Sequence, residues 1–136
     1  MNLHEQAFVE SFVQPDRPER ILPCLANSKK RRKFLGWLMD HADNIPMPEC
    51  RRGIKPNEQH PDPIYAILRR LGAPDSGHLI SEHRNFDGKE MDLLAALKEI
   101  IGNGDGIGTV ISCLPGRLGY FEGEWKETVQ IAKMIG

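Results

Sequence analysis

The sequence predicts an α+β protein, with N-terminal helices packed on a small β-sheet of about three strands formed by the C-terminal half. Three observations lead there. Apolar residues before residue 75 recur at helical spacing. The stretches His78–Ser81, Thr109–Leu114 and Leu118–Glu122 are short runs bounded by turn residues, as strands are. A helical pattern, Gly88–Ile101, separates the first of these from the other two. The order reads as mainly helical over 1–75 and strand-helix-strand-strand-helix over 76–136. A length of 136 residues suits a single globular domain spanning 1–136. A chain of that size buries most of the surface its unfolded form exposes.

In chain order, Asn2 is placed to cap a first helix, with Glu5 three residues on as its capping-box partner. Phe8 and Phe12 then share a face. After Pro15 and Pro18 a short helical piece runs to Leu25, interrupted at Pro23. Ser28 is read as the cap of the next helix, which reaches about Asp43. Phe34, Trp37, Leu38 and His41 line one face of it. Residues 44–60 carry three prolines and many charges and read as an irregular connection.

The helix from Asp62 to Leu71 is the clearest. Asp62 caps it, Pro63 opens it, Ile64, Ile67, Leu68 and Leu71 form its buried stripe, and Gly72 and Pro74 stop it. Asp87 and Glu90 have the spacing of a capping box for the helix Gly88–Ile101. Leu-Pro115-Gly116-Arg between the last two strands favours a type II turn. Its twist fits a two-residue hairpin poorly, so a wider loop is expected. A final helix over Trp125–Ile135 would turn Trp125, Val129 and Ala132 inward.

Composition excludes several classes. No apolar run approaches the ~20 residues of a membrane span. Met-Asn-Leu-His-Glu-Gln has no basic stretch followed by an apolar one, so no secretion signal is read and a cytoplasmic location is expected. Cys24, Cys50 and Cys113 are odd in number and far apart, which suits free thiols. The net charge of −1 conceals an asymmetry. Residues 1–85 carry 13 Lys/Arg against 11 Asp/Glu, and residues 86–136 carry 5 against 8.

Candidate catalytic motifs fail on spacing. The glycines of Gly102–Gly108 follow a helix and precede a strand, the reverse of a dinucleotide-binding loop. An EF-hand register puts Ile101 and Ser112 at ligand positions. Cys113 and Arg117 are too close for a phosphate-wrapping loop. His4, His41, His60, His78 and His83 show no zinc spacing. No catalytic residue, metal site or cofactor is therefore assigned, and an enzyme is the less favoured class. A small hydrolase with its site at the strand ends, near His78, His83, Cys113 and Arg117, stays as one alternative.

One electrostatic anomaly stands out. Lys29, Lys30, Arg31, Arg32 and Lys33 crowd the start of a helix, the end that disfavours positive charge. Helix stability does not account for them: either they form a solvated face that pairs locally with Asp16, Glu19 or Asp40, or they bind a partner. The leading expectation is a small non-catalytic protein–protein interaction module of adaptor, regulatory or immunity type, meeting a partner with an acidic surface. Those five cations form its first surface, and Arg117, Tyr120 and Glu122 a second. Nucleic-acid binding through the same cations is the other alternative. Phe34 and Trp37 read as core, which argues against base stacking.

Overall fold

The computed structural model describes residues 2–13, 18–40, 51–102, 108–122 and 130–133. Its helices are α1 (Leu3–Phe8), α2 (Pro18–Ala26), α3 (Ser28–Asp40), α4 (Pro61–Arg70) and α5 (Leu93–Gly102). Its strands are β1 (Arg51–Gly53), β2 (Ser76–Ser81), β3 (Glu90–Asp92), β4 (Thr109–Leu114), β5 (Leu118–Glu122) and β6 (Gln130–Lys133). A π-helical stretch, Val9–Val13, continues α1, and a 3-10 turn covers Pro56–Glu58. The α+β class is as the sequence predicts. The sheet is larger than expected, with six antiparallel strands in the order β1-β6-β5-β4-β2-β3.

Helices cover both faces of this sheet. Ile80, Val110 and Phe121 pack with Phe8, Val9, Ile21, Leu25, Phe34, Leu35 and Leu38 of the N-terminal helical region. Leu79, Ile111, Cys113, Leu118 and Tyr120 pack instead with Ile64, Ile67, Leu68, Leu93, Ala96 and Leu97 of α4 and α5. Adjacent strand residues thus serve opposite cores, as the two-residue period of a strand requires. Double coverage explains why β4 is buried along almost its whole length.

Several boundaries differ from the sequence reading, each for a local reason. The cap of α3 is Asn27: its Oδ1 accepts from the backbone N–H groups of Lys29 and Lys30 at 3.1 Å. Ser28 is the first helical residue. Helix α4 begins at Pro61, and His60 precedes it without a side-chain cap. Residues 90–92 form β3 against β2, so α5 starts at Leu93 and Asp92 caps it through Ala95 N–H, 3.0 Å. Asp87 is bound by Arg31 instead. Within the expected irregular connection, Arg51–Gly53 forms an edge strand. The expected C-terminal helix is overturned over residues 130–133. They form β6, whose backbone finds partners on both sides, in β5 and β1. Trp125 and Val129 lie outside the described residues, as do residues 41–50 and the glycine run 103–107.

Two turns follow the sequence closely. Helix α4 ends with Gly72 N–H on Arg69 C=O and Ala73 N–H on Leu68 C=O, with Gly72 at φ 105°. That is a Schellman stop, which a left-handed glycine makes inexpensive. Between β4 and β5, Arg117 N–H donates to Leu114 C=O, 2.9 Å, with Gly116 at φ 70°. Pro followed by a left-handed glycine is the type II turn expected. The pairing Leu114–Leu118 makes it a three-residue loop, and an irregularity between Ser112 and Leu114 absorbs the mismatched twist.

Candidate functional site

The largest concentration of chemistry lies between α1, α3 and the face of the sheet they cover. It begins with Glu5. Asn2 Oδ1 caps α1 by accepting from His4 N–H at 2.8 Å, and the helix places Glu5 one turn before Phe8, facing inward. A carboxylate buried there needs cationic or donor partners. Arg31 and His78 supply them. Arg31 Nη1 and Nη2 donate to the two Glu5 oxygens at 2.7 and 2.9 Å, and His78 Nε2 donates to Glu5 Oε2 at 2.6 Å.

Arg31 uses every donor it has. Its Nε and Nη2 donate to Asp87 at 2.7 Å each, and Nη1 also donates to Leu25 C=O at 3.3 Å. With the two bonds to Glu5, all five N–H groups are occupied. Asp87 Oδ1 accepts a further bond from Ser81 N–H, 3.0 Å. One guanidinium therefore joins α1, the end of α2, α3 and the loop between β2 and β3. Next to it, the His4 ring stacks on His78 with centroids 5.6 Å apart and planes within 14°, and His4 Nδ1 shares a 2.8 Å hydrogen bond with Ser112 Oγ.

The electrostatics follow from these contacts. Burial alone would raise the Glu5 carboxyl. The hydrogen bonds and charges of His78 and Arg31 outweigh it and hold the group at about 2. The bonds from Arg31 to Asp87, then those to Glu5, push the guanidinium further up against its own burial. Burial, and then the neighbouring His78, push His4 down, with Glu90 opposing. Glu5 makes a poor general base, since it holds its charge tightly and both its oxygens are occupied. Ser112 is buried beneath His4. Among the described residues no three His, Cys, Asp or Glu side chains converge as a metal would require. The cluster is a clasp: it fixes α1 and α3 to the sheet.

The clasp redistributes the residues that the sequence singled out. Of the basic run, Arg31 turns inward, with its side chain 15% exposed, and leaves the surface patch. Its partners are Glu5 and Asp87, 26 and 56 residues away in the chain. Lys29, Lys30, Arg32 and Lys33 are exposed, and Arg32 Nη1 donates to Glu82 C=O at 3.1 Å. Trp37, expected in the core, is 41% exposed on the same helix and stacks at 6.0 Å on buried Phe34.

The second expected surface does not form as drawn. Tyr120 is 1% exposed and belongs to the core beneath α4 and α5, because the strand period turns it inward beside Leu118. Arg117 is exposed in the turn that opens β5, and Glu122 ends that strand opposite Thr109. Residues at the two ends of a five-residue strand stand roughly 15 Å apart.

The residues named for a hydrolase do not meet either. His78 lies on the α1 side of the sheet and Cys113 in the core on the other side. Burial pushes the Cys113 thiol up to about 12, far from a nucleophile. The His83 ring rests on Phe86.

The sequence reading missed Glu5, His78 and Asp87 as partners. One signal was present: Glu5 shares an apolar helix face with Phe8, at a spacing that buries a charge.

No family model, no curated protein and no solved structure matches the chain. No helix among the described residues is long and apolar enough to cross a membrane.

Proposed function

We propose that the protein is a small, non-catalytic, cytoplasmic interaction module of adaptor, regulatory or immunity type, and that the outer face of α3 docks a partner protein with an acidic surface. The observation that carries this is the composition of that face. With Arg31 withdrawn into the clasp, Lys29, Lys30, Arg32 and Lys33 are all exposed in the first turns of α3, which hold no acidic residue. Positive charge there works against the helix dipole. Lys30, Lys33 and Trp37 follow one another at helical spacing, which puts a large aromatic anchor beside the cations. Exposed Trp within a charged rim is the composition of an interface hot spot.

The exposed Trp37 also favours a second reading, a single-stranded nucleic acid whose bases stack on the ring while the cations meet phosphates. Both are tested together. The protein and a Lys30→Glu, Lys33→Glu, Trp37→Ala variant are used as baits in lysate of the source organism, with and without nuclease. The variant should fold as the wild type does, since these side chains lie outside the clasp. An acidic protein captured after nuclease, lost in the variant and weakened by salt, supports the first reading. Co-purifying nucleic acid that vanishes on nuclease treatment supports the second. Equal capture by wild type and variant overturns both.

A further inference from the structure

We propose that α1 is an acid-loosened latch: protonation of His4 favours transient opening of residues 3–7 from the sheet, exposing His78 and Ser112 more often, while the rest of the fold persists. The latch rests on geometry and is independent of the partner that α3 meets. Helix α1 has six residues, too few to persist in water without its docking contacts. Its hold before Phe8 is mainly polar: His4 to Ser112, and Glu5 to His78 and Arg31, with Ala7 lying against the Gly116 turn. It runs directly into the π-helical stretch Val9–Val13, where the hydrogen-bond register changes, and such a break is a natural hinge. Phe8 and Val9 are buried at that junction and anchor the chain on its C-terminal side.

Among the described residues, the charged and titratable groups around the latch are few. From α1 itself come His4 and Glu5. Strand β2 presents His78, β3 presents Glu90, α3 presents Arg31, and the loop before β3 presents Asp87; β4 adds only the Ser112 hydroxyl. Glu5 and Asp87 are committed to Arg31 and His78. An imidazolium at His4 would lose hydration on burial and face the His78 ring stacked at 5.6 Å, whose charge opposes it, with Glu90 in partial relief.

Docked His4 sits below its ordinary 6.5, so the released segment binds the proton more readily. Docking is therefore complete above pH 6.5 and weakens as pH falls below it. One linked proton raises the opening equilibrium by up to about tenfold per pH unit in that window.

The test is amide hydrogen exchange on the full chain at pH 7.5 and 5.5, corrected for the intrinsic rates. Protection of residues 5–8 is expected to drop by several-fold, up to about tenfold for one linked proton. Protection over residues 109–122 should stay unchanged. In His4→Gln, which keeps a hydrogen-bonding side chain but cannot charge, the drop should disappear. A wild type with equal protection at both pH values, or a His4→Gln protein with the same drop, overturns the latch. Should that variant fail to fold, the His4 imidazole titration by NMR in the wild type decides alone: a value at or above 6.5 overturns the proposal, and one clearly below it supports it.

Discussion

Replacing Glu5 by Gln tests the clasp most directly. The change keeps the shape and removes the charge, leaving Asp87 as the one carboxylate bound to Arg31 and His78 opposite a neutral amide. The magnitude comes from the carboxyl itself. Its ordinary value is 4.5 and the fold holds it at about 2, which favours the ionised over the neutral form by ~3 kcal/mol. Gln resembles the neutral form, so a loss of about 2–3 kcal/mol is expected at pH 7, close to the usual cost of breaking a buried pair. For 136 residues the unfolding entropy is ~0.3 kcal/mol/K, so the Tm should fall by about 7–10 °C.

The pH profile supplies an independent check. A group whose folded value is depressed stabilises fully above its unfolded value and loses that contribution as pH falls through the folded one. The gap between wild type and Glu5→Gln should thus be constant above pH 4.5 and close between 4.5 and 2. Urea denaturation at pH 7, 5, 4 and 3 measures it. A gap under ~1 kcal/mol at pH 7, or one that stays the same down to pH 3, would refute the account of Glu5 as a charge held by Arg31 and His78.

Arg31→Lys should cost about 2–4 kcal/mol by denaturation, because an ammonium with three donors cannot replace the five hydrogen bonds the guanidinium makes to two carboxylates and a carbonyl. Lys30→Glu, next to Arg31 in the chain but exposed, should change stability by less than about 0.5 kcal/mol, and any change should be favourable at a helix start. Gly116→Ala should cost about 1–2 kcal/mol, since the residue sits at φ 70° and an added Cβ would come within 2.7 Å of Ser11 Oγ; thermal melts suffice. Cys113, with its thiol pushed up to about 12 inside the core, should resist iodoacetamide at pH 8 in the folded protein and react in urea, as peptide mass spectrometry would show.

The local part of the structure was written in local patterns. The α4 stripe of Ile64, Ile67 and Leu68, the glycine stop at Gly72, the Asn2 cap and the Pro115-Gly116 turn all depend on residues a few positions apart, so the chain itself specified them. Where competing local signals existed, distant contacts chose between them. Asp87 has the spacing of a helix cap, yet Arg31 and Ser81 claim its carboxylate, and Asp92 caps the helix instead. Residues 130–133 joined the sheet because β1 and β5 offer hydrogen-bond partners on both sides.

The basic run shows the same division. Its charge and its conflict with the helix dipole were legible from the sequence. Which member is structural was not, because the partners of Arg31 lie 26 and 56 residues away, and Glu5 meets His78 across 73. Sequence alone thus determined the α+β class, most helix stripes and the presence of an unexplained cationic helix start. Only the tertiary structure decided that Arg31 belongs to a buried clasp and Tyr120 to the core, and that Trp37 stands exposed beside the remaining lysines. The physical reason is that burying a charge depends on what the whole fold brings within hydrogen-bond reach, and no periodicity along one segment records that.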